Sequence, residues 1–375
     1  MRQYRLLEIT VQYDQYLREF YTLHKDFDKW SYDELYAALV EDAFAESDFI
    51  HRELNKMGIQ SKAVFCNNRN LQKKWKGFTK DMSYFDILLS QIKDFKPDII
   101  LVSDVSQFSR EETKMIRDCL APKVIKLVGY HFTGLNDVFR EHAPLYDQIY
   151  TGSRAFVNSM NSYGLPAYLL RHAFAPSILE QVPACERKNE ICFLGSVIVS
   201  ETIHNNRVQM FSQLIKEKIP YDFYGNIYGS LQETNLSGDD REMMDIAAEI
   251  TKSVKPGAFG LKYYEIMNQY NVCLNLHAIC AGSHGAGNMR MFEATGMGTC
   301  LLTDSRDENA ELFDIDKEIV VYESFENMVE KAGWLIDHPK EGKEIALAGQ
   351  KRTLKDHTYR NKAECLNEYL QMLLV

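Results

Sequence analysis

Short runs rich in apolar and β-branched residues alternate along the chain with longer stretches in which apolar positions recur every three to four residues. Strands alternating with amphipathic helices produce this pattern. In the first half, residues 4–11, 61–66, 98–102, 124–129, 148–150 and 167–170 predict strands, and 33–57, 83–95 and 110–120 predict helices. Residues 174–189, with Pro176, Pro183 and a Glu-Arg-Lys cluster, follow neither period and predict a linker. The alternation then restarts, with strands over 191–195, 221–225, 272–277, 299–303 and 318–322. Helices are predicted over 205–218, 261–270, 288–295 and 325–337, and two more close the chain over 341–354 and 359–374. The acidic insert 229–259 has no assignable element, and the aromatic-rich stretch 13–24 reads as a sugar-contacting or covering segment, or a packed irregular loop.

Strands separated by helices predict parallel sheets covered on both faces. The fold class is therefore α/β, with two Rossmann-like domains facing across a cleft: residues 1–174, residues 190–357, and a last helix, 358–375, crossing back to the first domain. Ligands of such sheets bind beyond the carboxyl ends of the strands, so candidate chemistry belongs in the segments after each strand.

Composition narrows the partners. With 43 Lys+Arg against 53 Asp+Glu the net charge is −10, which repels a nucleic-acid backbone. The eight cysteines form no CxxC pair and lie mostly in apolar runs, which predicts free thiols in a reducing compartment. A charged start and the lack of about 18 consecutive apolar residues predict a cytoplasmic protein with peripheral membrane association at most.

The most informative segment is 283–298. Gly282, Gly285 and Gly287 follow a strand and precede a helix, so backbone can approach a ligand closely while the helix start offers unpaired N–H groups to an anion. Three glycines in such a loop also suit a purely structural turn. On the strand before them, Asn275 and His277 share a face, with His277 nearer the cleft.

Residues 290–304, reading RMFEATGMGTCLLTD, with 317–322, 345–359 and the strand and turn 191–196, resemble the C-terminal half of GT-B glycosyltransferases. The likeness is to the group-1 type, in particular its CgeB-like subfamily. It covers about residues 190–370 and implies transfer of a sugar from a nucleoside-diphosphate donor to a glycan, lipid-linked or protein acceptor. The resemblance assigns Glu293 to the donor ribose and puts Arg290, on the same helical face, beside Glu293 or a phosphate. His284, Gly285, Gly287 and Asn288 line the same loop and helix start, Gly195 and Ser196 the first strand end, Arg207 the diphosphate, and Tyr224 the neighbourhood of the base. Many retaining members carry a second glutamate eight positions before the first; Gly285 stands there, so both stereochemical outcomes stay open. In the first domain, Asp104 and His131 follow strands where an acceptor would lie, and either could take the acceptor proton. The fold type implies neither a cofactor nor an essential metal. A nucleotide-sugar epimerase, and a non-catalytic glycan or spore-surface protein, are the rival readings.

Overall fold

The computed structural model describes residues 2–198, 205–228, 240–277 and 285–374. They form two compact units: one runs to Arg171 and resumes at Tyr359, and the other is His172–Thr358.

In the first unit, six strands, β1 (Arg5–Thr10), β2 (Gln60–Phe65), β3 (Ile99–Val102), β4 (Lys126–Tyr130), β5 (Gln148–Thr151) and β6 (Ala167–Leu169), form one parallel sheet in the order β2-β1-β3-β4-β5-β6. All four residues of β3 are buried, because a central parallel strand is covered on both faces and reads as an unbroken apolar run. A buried His51 ties the helix Phe49–Lys56 to this sheet, with Nε2 at 2.6 Å from Glu8 of β1 and Nδ1 at 2.6 Å from the Ser61 hydroxyl of β2. The last helix, Tyr359–Leu373, packs against Phe49–Lys56 and buries Lys362 against Glu46 at 2.6 Å.

The second unit holds β7 (Lys188–Leu194), β8 (Val197–Ile198), β9 (Tyr221–Gly225), β10 (Ile227–Tyr228), β11 (Val254–Pro256), β12 (Tyr270–Asn275), β13 (Cys300–Asp304) and β14 (Val320–Tyr322). Its main sheet is also parallel, in the order β11-β9-β7-β12-β13-β14, and β8 pairs with β10 separately. Phe193, Phe211, Phe223, Leu274 and Leu302 are fully buried at its centre. In both sheets the winding direction reverses beside the first strand, between β1 and β3 and between β7 and β12. Ligands of open α/β sheets bind at such switch points.

Three expectations change. Residues 33–57 are two helices, Tyr32–Glu41 and Phe49–Lys56, because Ala43, Ala45 and Ser47 take left-handed φ values of 57°, 53° and 45°. No glycine or proline marked that break. The stretch after β1 is a regular helix, Asp14–Leu23, burying Tyr16 and Phe20 four residues apart on one side. Residues from 174 onward are integral to the second unit: Phe174 N–H donates to His357 O at 2.9 Å, and the Phe174 ring fills the space over Gly296. The insert supplies the helix Asp240–Ser253 and the edge strand β11. No helix among the described residues is long and apolar enough to cross a membrane.

Candidate functional site

The carboxyl ends of β7 and β12, at the switch point of the second sheet, are joined by side chains from the helix Met289–Gly296. Asn275, the last residue of β12, is fully buried and uses its whole amide. Its Oδ1 accepts from Asn288 at 2.9 Å and Arg290 at 3.0 Å, while its Nδ2 donates to Asn288 at 3.2 Å and Thr303 at 3.0 Å. Arg290 also donates to Leu194 O at the end of β7 and lays its guanidinium 4.7 Å from the Phe193 ring centre. Arg207 reaches the same edge from the helix Asn205–Lys216, donating to Ser196 O and, at 3.1 Å, to Leu276 O.

Small residues are required here. A Cβ on Gly195 would come within 2.5 Å of the Arg290 guanidinium, and one on Gly225 within 1.7 Å of Gly195 O. Gly287 has φ 105°, a backbone conformation that side-chain-bearing residues avoid.

Diversion of Asn288 to Asn275 has a consequence at the helix start. The helices Tyr32–Glu41, Tyr84–Phe95 and Arg110–Asp118 of the first unit open with serine capping boxes that occupy their first free N–H groups. Asn288 stands at the corresponding position of Met289–Gly296 but caps nothing with its side chain. The Met291 N–H turns back onto Asn288 O at 3.1 Å, and no side chain caps the amides before it at the positive end of the helix.

Glu293 is 8% exposed and receives hydroxyls from Tyr263 at 2.8 Å, on Oε2, and Tyr264 at 3.5 Å, on Oε1. A carboxylate has about four acceptor positions, so two remain for a ligand's hydroxyls. Burial raises the carboxyl above its ordinary 4.5, opposed by Tyr263, the Arg290 charge and Tyr264. The two tyrosines belong to the predicted helix before β12; the adjacent pair is the only sequence signal that could have nominated them.

His277 is also buried. Its Nδ1 lies 2.7 Å from Asp304 Oδ1, and its backbone N–H donates to the same oxygen at 3.1 Å. Arg306 Nε donates to the other oxygen at 2.7 Å. Burial would raise Asp304, but the hydrogen bonds from the His277 ring and amide and the Arg306 charge bring its carboxyl down to about 2. Sequence reasoning missed Asp304 and Arg306, since only the pairing of β12 with β13 brings them to His277.

Tyr224 is not drawn into this group: its hydroxyl is 2.9 Å from that of Tyr270, at the opposite end of β12. Gly285 is buried just before Gly287, and His284 lies outside the described residues. In the first unit, Asp104 and His131, following β3 and β4, come together with 3.8 Å between Asp104 Oδ2 and Nδ1. His131 is stacked on Phe139 at 4.2 Å, and burial lowers its pKa below 6.5 against the pull of Asp104.

Residues 207–368 match a protein-family model described as glycosyl transferase-like. No curated protein matches the chain. Among solved structures, a glycosyltransferase from Rickettsia africae ESF-5 superposes with a TM-score of 0.59 at 8% identity, covering 100% of this chain and 99% of that one. Sucrose-phosphate synthase from Thermosynechococcus elongatus gives 0.56 at 10% identity, with 100% and 99% covered. Anabaena Alr3699/HepE in complex with UDP-glucose gives 0.57 at 10% identity, with 99% and 100% covered. The fold is the two-domain α/β architecture of GT-B glycosyltransferases.

Proposed function

We propose that this chain is a glycosyltransferase that moves a sugar from a nucleoside diphosphate to a glycan, lipid-linked or protein acceptor. The observation that carries the reading is Glu293, buried with two acceptor positions to spare on a helix whose start no side chain caps. In this reading the carboxylate accepts both ribose hydroxyls. The diphosphate lies against the backbone of Gly285 and Gly287 and the first-turn amides. Arg290, whose Nε is buried and has no hydrogen-bond partner, adds positive charge as the leaving diphosphate develops negative charge. His131, whose Nδ1 faces Asp104 at 3.8 Å without a hydrogen bond, takes the acceptor proton. A GT-B reaction of this kind draws no step from a metal, so turnover is expected to survive EDTA. The CgeB-like placement belongs to the same proposal. Neither the epimerase nor the non-catalytic reading is favoured by the similarities.

UDP, with which Anabaena Alr3699/HepE has also been solved in complex, is the first nucleotide to try, followed by GDP and dTDP. At a hundredfold excess over Kd, one of them should stabilise the protein by about 2.7 kcal/mol, seen as a rise in melting temperature. Glu293→Gln should abolish most of that rise while leaving the unliganded melting temperature close to wild type. No response to any of the three, or an undiminished response in the variant, would sink the reading. Because the Glu293 carboxyl titrates above its ordinary value and only its ionised form accepts two hydroxyls, binding should weaken on acidification beginning above pH 4.5.

A further inference from the structure

His277 has one ring nitrogen occupied and one left over. A carboxylate only accepts, so the 2.7 Å contact with Asp304 puts the proton of the neutral ring on Nδ1. Arg306 and the His277 amide complete the Asp304 hydrogen bonds and hold that carboxylate in place. Nε2 then presents a lone pair. It is buried and makes no hydrogen bond, although His277 itself is only 4% exposed. Buried acceptors are rarely left so, and an orphan at a strand end beside a ligand site marks a missing partner.

The charged groups around it decide what that partner is. Arg306 follows β13, Arg207 comes from Asn205–Lys216 and Arg290 from Met289–Gly296, and all three are donors. Asp304 is the carboxylate in contact with the ring, and the Tyr322 hydroxyl of β14 is spent on Asn275 O at 2.9 Å. Phosphate oxygens only accept and cannot satisfy a lone pair. A hydroxyl can. Glu293 is held by the helix Gly260–Asn268 and His277 by β13, so different elements carry the two acceptors and the Arg290–Asn275 bond involves neither. With Glu293 taken by the ribose, the hydroxyl left for His277 belongs to the other end of the donor.

We propose that His277 Nε2 reads a hydroxyl of the transferred sugar, with Asp304 as the positioning residue that fixes the ring tautomer. This rests on the donor-site reading above and deepens it from nucleotide to sugar recognition.

The test separates the two ends of the donor. Affinities are measured for UDP, GDP and dTDP, each free and as its glucose, galactose and mannose conjugate, with wild type, His277→Gln and Asp304→Asn. In wild type at least one conjugate should bind more tightly than its free nucleotide. Both variants should cut that ratio about tenfold and leave free-nucleotide affinity within about twofold. In the wild-type protein, the ¹⁵N resonance of an unprotonated histidine Nε2 should move on adding the conjugate and stay in place with free nucleotide, a readout that survives if either variant fails to fold. Equal losses for nucleotide and conjugate, an unchanged ratio, or no such resonance shift would overturn the proposal while leaving nucleotide binding intact. Absence of any nucleotide binding would instead remove the donor-site reading and this inference with it.

Discussion

Each unit contains a buried histidine held against a carboxylate, and the two pairs are finished differently. His51 is saturated, with Glu8 on one nitrogen and Ser61 on the other, both at 2.6 Å. His277 is bonded through Nδ1 to Asp304 at 2.7 Å and leaves Nε2 without a partner. Both rings are almost equally buried, at 2% and 4% exposure, so burial does not separate a structural histidine from one poised for a ligand. Counting hydrogen-bond valences does. The same lesson applies at helix starts, where serine boxes close three helices of the first unit and Asn288 leaves Met289–Gly296 open.

The comparison can be broken most forcefully at His51. His51→Leu strands the Glu8 carboxylate in the core and should lower stability by about 3–5 kcal/mol, read from urea unfolding, with nucleotide affinity in the still-folded protein unchanged. A stable His51→Leu protein, or one that has lost nucleotide binding, would remove the structural assignment.

His131 tests a third arrangement, in which Nδ1 sits 3.8 Å from Asp104 and Nε2 3.3 Å from Gly134 O. His131→Asn should slow single-turnover sugar transfer at least about a hundredfold, worth about 3 kcal/mol of barrier, while the nucleotide-induced melting shift persists. Burial holds the ring neutral below its ordinary 6.5, so the rate should stay level as pH falls past that value and drop only at lower pH. A drop beginning above pH 6.5 would contradict this.

The smallest effect sharpens the Asp304 side. Its carboxyl is depressed from 3.8 to about 2, so its contribution is fully present above pH 4 and is lost as pH falls from there toward 2. That contribution is about 2 kcal/mol. Unfolding free energies measured at pH 4.5 and pH 2 should differ by about that much less in Asp304→Asn than in wild type; an unchanged difference would mean the pair is not formed.

Much of this was legible in the chain. All eleven strands expected from the apolar runs are present, because a strand buried on both faces needs a continuous apolar run wherever it ends up in the sheet. Glu293 and Gly287 were nominated by motif and backbone chemistry, and the structure gives Glu293 a buried carboxylate and Gly287 a φ of 105°. The helix Asp14–Leu23 was hidden by its aromatic residues, whose large side chains suit a packed helix face and a binding surface equally well. The break at residues 43–47 was hidden because alanine and serine are held in left-handed conformations by surroundings that local sequence does not encode.

Periodicity and residue chemistry by themselves determined an α/β chain with two runs of parallel strands and singled out the glycines before Met289–Gly296 as candidates. Tertiary structure alone decided which polar groups are satisfied. Sheet order sets Asp304 of β13 beside His277, two residues past β12, and Glu8 of β1 and Ser61 of β2 beside His51. Hydrogen bonds act over about 3 Å, whereas these partners lie 10 to 43 residues apart, so only the folded register shows which histidine is complete and which still has a bond to offer.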